Sequence, residues 1–594
     1  MDRIKTENPL ANWAPKAILS GNECGHFEKR LRSFFKTTAV VFQNHCSRFL
    51  PALLLLGFWF AIPAALRAQN SDTLAVAADA AAEVADSVAE VAGNVSAEKA
   101  DTAAQVGFVR YYDAAERRVI RYPHRDSTWV NFATGSRVHF IRLTRQDTLV
   151  TPDRAVAKPI LESLAINFGV WGYDHWVKDR GWADVTSRTI HHNLTHDFVL
   201  DNDSYSGNQF SHPYHGSMFY NAARYHGHSY YTAALYPLIG SMVWEYFCET
   251  NRPAYNDFLS TGIGGTAIGE ATFRASDLIF DNSKTGLGRV VRELAGSILN
   301  PARGIHRLFS GEMWRVSPVR GKHIQPAPFS AEVGVGNRYM RELRHHNRHK
   351  NVSYVDFLLL YGDHFWLQKD PKPFDYFRLH ILLNTTPSQP TFSDVDIRGR
   401  LFGKQLEGRR GWQVDWAVYQ NFRYLDNYGQ KHEQNPGDYA LHCEAVSFGV
   451  GSYQQRIGKH HTFSNDFVFN IVPFGACTSD YYEARRYNFA TGFSLRNEIR
   501  YSFNSRFTIG NDTYFARYFV PKGGRRPDLR SDYYWGDRGH SSIWLSRTYV
   551  LVNVHRYLKA KAEHLLYYRR SYYTYYPEHH GKSIEVNLGL VYSL

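Results

Sequence analysis

Two hydrophobic periods divide this chain. From about residue 324 to the C-terminus, apolar residues recur at every second position. Val395, Ile397, Gly399 and Leu401 interleave with Asp394, Asp396, Arg398 and Arg400, and Trp412, Val414, Trp416 and Val418 with Gln413, Asp415, Ala417 and Tyr419. Phe493, Leu495, Ile499 and Tyr501 alternate with Ser494, Arg496, Glu498 and Arg500, and the run Ile584 to Leu594 repeats the pattern at the chain's end. A period of two is that of a strand with unlike faces. Charges of both signs on the polar face suit the wet lumen of a closed barrel whose apolar face meets lipid.

Counting such runs predicts a transmembrane antiparallel β-barrel of about 12 strands over 324–594, an even number. Connection lengths mostly alternate. Those near Arg341 to Lys350, Asp426 to Gly437, Gly475 to Arg485 and Pro521 to Gly539 are long, whereas Arg456 to Lys459, Asn504 to Ser505 and Arg556 to Lys559 are short. Long outer loops and short periplasmic turns produce this rhythm, and a soluble β-sandwich has no need of it. The gap at Thr386 to Pro390 is shorter than the rule wants, the alternation weakens near Trp544 and His564, and Leu594 stands where such barrels usually end in an aromatic.

Over 158–310 the period moves toward 3.6, which predicts helices at Pro159 to Val177, Tyr230 to Glu249, Pro253 to about Ile279, and Gly288 to Leu299. Pro253 suits a first helical turn. Gly262, Gly265 and Gly269 share one face of the third helix and would let a neighbouring helix approach closely. The whole is therefore α+β: an α-helical domain preceding the barrel. Residues 107–157 read as short β or extended segments.

Composition fixes the setting. Residues 1–68 hold nine Lys/Arg against four Asp/Glu, then the apolar run Phe49 to Ala65 and a small residue, Ala68. That is a signal peptide with a long basic leader, and Pro51 and Pro63 argue against a permanent anchor. Residues 69–106, rich in Ala, Asp and Glu, read as a disordered linker. Aromatics make up 15% of the chain while the mean hydropathy is −0.42, too polar for a helical membrane bundle and suited to a barrel with aromatic girdles. The net charge of +13 includes the leader and forms no Lys/Arg stripe, so nucleic acid is not an expected partner. Outer-membrane lipids and the barrel-assembly machinery are, in the cell outer membrane. Cys248, Cys443 and Cys477, the three beyond the leader, imply no disulfide framework.

The candidate chemistry lies between Asn208 and Glu270. His212 and His215, with Glu245, Asp257 or Glu270, offer the imidazole and carboxylate that general acid/base hydrolysis of a lipid or glycan requires. His212-Pro213-Tyr214-His215 is no established zinc signature, Pro213 argues against a regular helix there, and whether a metal binds stays open. No cofactor is expected. The competing reading is a buried structural network of Asn208, Glu245, Glu249, Asn256, Asp257, Glu270 and Arg274 around Gly262, Gly265 and Gly269, with Glu270 and Arg274 spaced for a same-face ion pair. Because no motif places a nucleophile, the network is the stronger reading. The pairs His191/His192 and His345/His346 read as solvated loop groups.

Asn208/His212/Pro213, Trp244/Glu245/Tyr246/Glu249, Asn256/Asp257 and Gly264/Gly265/Gly269/Glu270 together give N-x-x-x-H-P, W-E-Y-x-x-E, N-D and G-G-x-x-x-G-E. As a set over about 100 residues, these resemble an uncharacterised domain-of-unknown-function family of Gram-negative outer-membrane proteins. The resemblance implies an outer-membrane setting and no known activity. The order His, Glu, Asp, Gly-x-x-x-Gly is faintly similar to VanZ-type helical domains. Two functions follow as expectations. One is a noncatalytic outer-membrane barrel with a periplasmic or lumen-plugging helical domain, serving envelope transport, lipid handling or structure. The alternative is an envelope hydrolase or transferase using the His/Glu/Asp cluster. An inner-membrane span through Tyr230 to Phe247 is disfavoured by Pro237 and Glu245.

Overall fold

The protein is described by a computed structural model over residues 154–594, apart from 322–326, 344–348, 366–370, 388, 408–411, 428–440, 459, 504–505, 525–532, 556 and 594. The backbone of four short strands precedes these: β1 (Phe108–Asp113), β2 (Arg118–Pro123), β3 (Trp129–Val130) and β4 (Arg137–Phe140). The leader, the linker, His345/His346 and Leu594 lie outside the described residues.

Twelve strands form the barrel: β5 (Pro328–Glu342), β6 (His349–Tyr361), β7 (Phe377–Asn384), β8 (Phe392–Glu407), β9 (Trp412–Asp426), β10 (Leu441–Ile457), β11 (His461–Thr478), β12 (Tyr487–Phe503), β13 (Phe507–Val520), β14 (Gly539–His555), β15 (Leu558–Tyr573) and β16 (His579–Ser593). Each pairs antiparallel with the next, and β16 closes on β5 from Ser583↔Glu342 to Ser593↔Glu332. Closure leaves no open edge, which is what a sheet in lipid needs. The expected fold class and strand number are those observed. The connection lengths depart in one place: 362–376, on the rim of short turns, is long, because this segment folds back against the helices through Phe374 and Asp375.

Side chains from distant strands meet across the lumen. Arg496 of β12 binds Asp396 of β8 at 2.5 Å and Asp512 of β13 at 2.8 Å, while Arg398 of β8 pairs with Asp466 of β11. Arg547 of β14 reaches Asp394 of β8 at 3.2 Å, and Lys561 of β15 reaches Asp356 of β6 at 3.2 Å. Asp394, Asp396, Arg398 and Arg400 are all buried, so the charged face of β8 points inward and finds partners there. The cavity lined by Arg378, Arg398, Asp466, Glu498 and Arg500 measures about 60 Å³, room for a few waters. On the opposite face Trp416, Val450, Phe469, Ile499, Trp544 and Leu588 are exposed, an apolar belt.

The helical region comprises α1 (Ala157–Trp176), α2 (Ser187–Thr195), α3 (His212–Tyr225), α4 (Tyr230–Ala233), α5 (Leu235–Phe247), α6 (Tyr255–Leu259), α7 (Gly265–Ile279), α8 (Gly286–Leu299) and α9 (Pro301–Phe309). One-turn π-helical segments, Gly207–Ser211 and Ser260–Gly264, lead into α3 and α7. Several boundaries differ from expectation. Tyr230 to Glu249 is broken at Ala234 into α4 and α5, and the third helix starts at Tyr255, since the Pro253 carbonyl is used to bind the Val199 amide. Pro213 lies within a continuous helical run from Tyr205 to Tyr225, directly after the π-helical turn Gly207–Ser211, so the helix there is irregular, as expected. His191 and His192 lie on α2 rather than in a loop.

The helices neither plug the lumen nor hang beneath it; they lie along the outer wall. On β8 and β9, Ile397↔Phe422 and Gly399↔Gln420 are outward-facing pairs between the inward pairs Asp396↔Arg423 and Arg398↔Asn421. Yet Ile397, Phe422 and Gln420 are buried. Gln420 donates to the Ile263 carbonyl at 3.1 Å and accepts from the Tyr230 hydroxyl. Phe210 packs on Phe392 and Tyr424, and the Tyr205 hydroxyl reaches the Leu425 carbonyl. Lower on the wall, beside the middle of β8, Arg274 binds Asp375 at 2.9 Å, while Phe402, Leu406 and Trp416 beyond it are exposed. Glycine makes this approach possible: a Cβ on Gly264 would fall 2.8 Å from the Ala445 carbonyl oxygen of β10. The polar lumen already has its own partners, so apolar helix faces dock on the apolar outer wall instead.

The exposed side of the helical flank is apolar as well. Ile160, Leu161, Phe168, Tyr173 and Trp176 of α1 are exposed, as are Leu235 and Ile239 of α5 and Leu287, Val290, Leu294 and Ile298 of α8. Several of its charges are buried as pairs: Arg307 with Glu293 at 2.7 Å, and Arg303 with Asp277 at 2.5 Å. No helix among the described residues is long and apolar enough to cross a membrane by itself.

Candidate functional site

The sequence-predicted residues separate into two groups. Glu270 of α7 is fully buried between Arg224 of α3 (2.6 and 3.0 Å) and Arg274 (2.8 Å), and accepts the Tyr220 hydroxyl at 2.7 Å. Two guanidinium groups hold its carboxyl below the usual range despite its burial. Arg274 continues the chain to Asp375 and the Pro373 carbonyl. This group ties α3 and α7 to the barrel, and its charges balance locally. Gly265 and Gly269 serve the same contact: Cβ atoms there would lie 2.7 Å from the Gly216 backbone and 2.5 Å from the Tyr220 ring, whereas Gly262 faces Leu238 of α5.

The second group gathers Asp201, Asn208, His212, Glu245, Glu249, Asn256 and Asp257. A parallel bridge between Val199 and Ala254 brings the segment before α3 beside the start of α6. Asn256 then accepts the Asp201 amide (3.0 Å) and donates to the Asp201 carboxylate (2.9 Å) and to Asp257 (2.7 Å). Asn208 donates to Asp201 and to the Tyr487 hydroxyl, the latter at 2.6 Å, which anchors the cluster to the barrel. His212 Nε2 lies 3.4 Å from Asp257 Oδ1. Glu245 accepts the Ala254 amide through Oε2 at 2.8 Å, and its buried Oε1 has no hydrogen-bond partner. One ligand atom each from His212, Glu245 and Asp257 fall within 4.8 Å of one another.

This cluster is poor in positive charge. Burial, and the carboxylate of Glu249, push Glu245 well above the ordinary range; burial and Asp257 do the same to Glu249, and burial and Asp201 to Asp257. Asp203 is raised to about 6 by burial and Asp201. Arg485, beside it, donates to the Asp201 backbone carbonyl and lies over the Phe489 ring. His215 points elsewhere: its ring packs on Phe219 and Trp244, and burial, with His212 adding, lowers its pKa to about 3, so it is neutral.

Sequence reasoning missed Asp201, Asp203 and Tyr487. The acidic run Asp201-Asn202-Asp203 was a usable signal, seven residues before Asn208; Tyr487, on a strand 279 residues away, had none. It also missed a second triad. Glu162 Oε1 of α1 meets His226 Nε2 at 2.8 Å and His306 Nδ1 at 2.7 Å. Although burial opposes it, those two hydrogen bonds bring Glu162 down to about 2.

A family model described as a domain of unknown function (DUF3943) matches residues 197–302, a span that holds the whole Asn208 to Glu270 stretch. No curated protein matches. Among solved structures, the NanC porin is 10% identical with a TM-score of 0.22, covering 44% of this chain and 100% of its own. An outer-membrane channel from Pseudomonas putida F1 is 9% identical at 0.25, covering 45% and 95%, and the KdgM porin 8% identical at 0.18, covering 44% and 99%. Likeness at that level carries no argument about what this chain does.

Proposed function

We propose that this is an outer-membrane protein whose barrel serves as a wall for a lipid-embedded helical flank, acting in lipid handling or envelope structure. The observation that carries this reading is the reversed polarity of the flank. Leu161, Phe168, Leu235, Ile239, Leu294 and Ile298 are turned outward, whereas Arg274, Arg303 and Arg307 are buried with Glu270, Asp277 and Glu293, an arrangement that water disfavours and hydrocarbon favours. The exposed cations Lys158, Lys178, Arg188 and Lys284 lie at or beyond the helix ends. The flank lies beside the barrel's own apolar belt. Ion pairs spanning the lumen speak against a wide aqueous conduit.

A spin label on Leu294→Cys in the reconstituted full chain tests this. Collisions with oxygen should exceed those with a water-soluble nickel chelate; the reverse ranking would place the flank in water and overturn the reading. Planar-bilayer recordings should likewise lack large, steady porin-type steps. A second reading, an envelope hydrolase or transferase, draws support from the buried imidazole and carboxylates. Glu245→Gln in folded, normally abundant protein would then alter envelope lipid or glycan composition; unchanged composition removes it.

A further inference from the structure

The Asp201 to Asp257 cluster has more acid than its protein partners can balance. Among the described ion pairs, most buried carboxylates of the lumen and of the Glu270 group meet an arginine or lysine. Here the buried carboxyl groups of Glu245 and Asp257 converge with the half-buried ones of Asp201 and Glu249, and the described ion pairs bring them only the half-buried imidazole of His212. Such a gathering is costly unless something positive joins it.

The geometry points to that something. We infer that His212, Glu245 and Asp257 form a divalent transition-metal site, with Asp201 and Glu249 next to it. Three separate elements supply the ligands, α3, α5 and α6, and their donor atoms already lie within 4.8 Å of one another. Atoms bonded to one ion at about 2.0–2.2 Å lie no more than about 4.4 Å apart, so a small side-chain adjustment would close the set around an ion. Glu245 is 1% exposed and its Oε1 lacks any hydrogen-bond partner, so a buried acceptor faces the cluster unused. The other oxygen of Glu245 is held from behind by the Ala254 N–H, as the outer partners of metal ligands are, and Asp257 Oδ1, the oxygen facing His212, also takes the Asn256 amide. π-helical turns flank the ligands on both sides, Gly207–Ser211 before His212 and Ser260–Gly264 after Asp257, a local geometry common at functional sites.

One imidazole with carboxylates suits Zn²⁺ or Mn²⁺, while an all-oxygen shell would suit Ca²⁺ or Mg²⁺. The Glu162/His226/His306 triad also brings three ligand atoms within 4.8 Å, but both imidazoles already hydrogen-bond the same carboxylate oxygen. It serves as an internal control.

Metal content of the full chain, purified in detergent from Gram-negative membranes, tests the inference. About one equivalent of zinc or manganese per chain is expected. After chelator treatment, adding Zn²⁺ should restore the metal and raise the thermal midpoint. Glu245→Gln and Asp257→Asn should each weaken Zn²⁺ binding at least tenfold, with Glu162→Gln unchanged, and heat-modifiable gel mobility checks that each barrel is closed. A wild-type chain that neither retains nor rebinds Zn²⁺ or Mn²⁺, or that takes up only Ca²⁺ or Mg²⁺, overturns the inference, as does unchanged binding in both folded variants. Because the wild-type arm needs no variant to fold and no lipid contact, this outcome is separable from the fate of the lipid-embedded reading.

Discussion

The barrel lumen and the Asp201 to Asp257 cluster are both buried and both acidic, yet they are built on opposite rules. In the lumen carboxylates meet cations from neighbouring and distant strands: Asp396 meets Arg378 and Arg496, and Asp356 meets Lys561 and His380. The charges brace the wall and leave little room between them. In the helical cluster carboxylates meet each other, His212 is the one group in a described ion pair with them, and Arg485 reaches only a backbone carbonyl. A buried network that balances within the protein reads as structure; one that does not balance needs protons or an ion from outside. The lesson is to sum charge over a whole buried network before assigning a role to any one member.

The sharpest way to break the comparison is to unbalance the lumen. Asp396→Ala leaves Arg378 and Arg496 buried without their shared carboxylate, and a destabilisation of about 3–5 kcal/mol is expected. Urea titration of heat-modifiable mobility would read it. The same substitution combined with Arg378→Met should cost less than the single change, because Arg378 is then gone while Arg496 keeps Asp512.

A smaller effect is expected on the flank. Leu294→Lys on α8 puts a charge on the exposed apolar face, where about 2–3 kcal/mol is the cost near a bilayer's centre and close to none in water. The same titration in vesicles and in a soluble amphipol should therefore disagree: a penalty confined to vesicles supports the lipid contact, and equal stability in both removes it.

Much of this was legible in the chain, for reasons of period. Strand alternation survives because the lumen is polar and the exterior apolar at every level, so Asp394 to Arg400 announced their direction. The spacing of Glu270 and Arg274 gave a pair that the fold uses. What could not be read was the partner of an apolar face. Val395 and Ile397 look like lipid-facing residues in sequence, and only tertiary packing reveals that helices cover them. The split between the two groups of site residues was hidden likewise, since it depends on Asp201 arriving through the Val199 bridge and on Arg224 reaching back to Glu270. Pro213 signalled an irregular helix, and the π-helical turn Gly207–Ser211 beside it is that irregularity.

The finest test lies in pH. Glu245, Glu249 and Asp257 have pKa values raised above their unfolded values of 4.5, 4.5 and 3.8. In the folded, metal-free chain they therefore hold protons that the unfolded chain releases, and their contribution is full below about pH 4 and is lost as pH climbs from there through the raised values. Each unit of pH within that window costs about 1.4 kcal/mol per group that stays protonated only in the folded state. Chelator-treated protein should thus be more stable at pH 5 than at pH 8, and Glu249→Gln should flatten the fall. Saturating Zn²⁺ should reverse it, because the metal competes with those protons for the carboxylates and the imidazole. Glu162, whose value is lowered to about 2, works in the other direction: its contribution is present above about pH 4.5 and fades as pH falls toward 2. A profile that rises from pH 5 to pH 8 without metal would mean that the cluster keeps its charges unaided, and the contrast with the lumen would collapse.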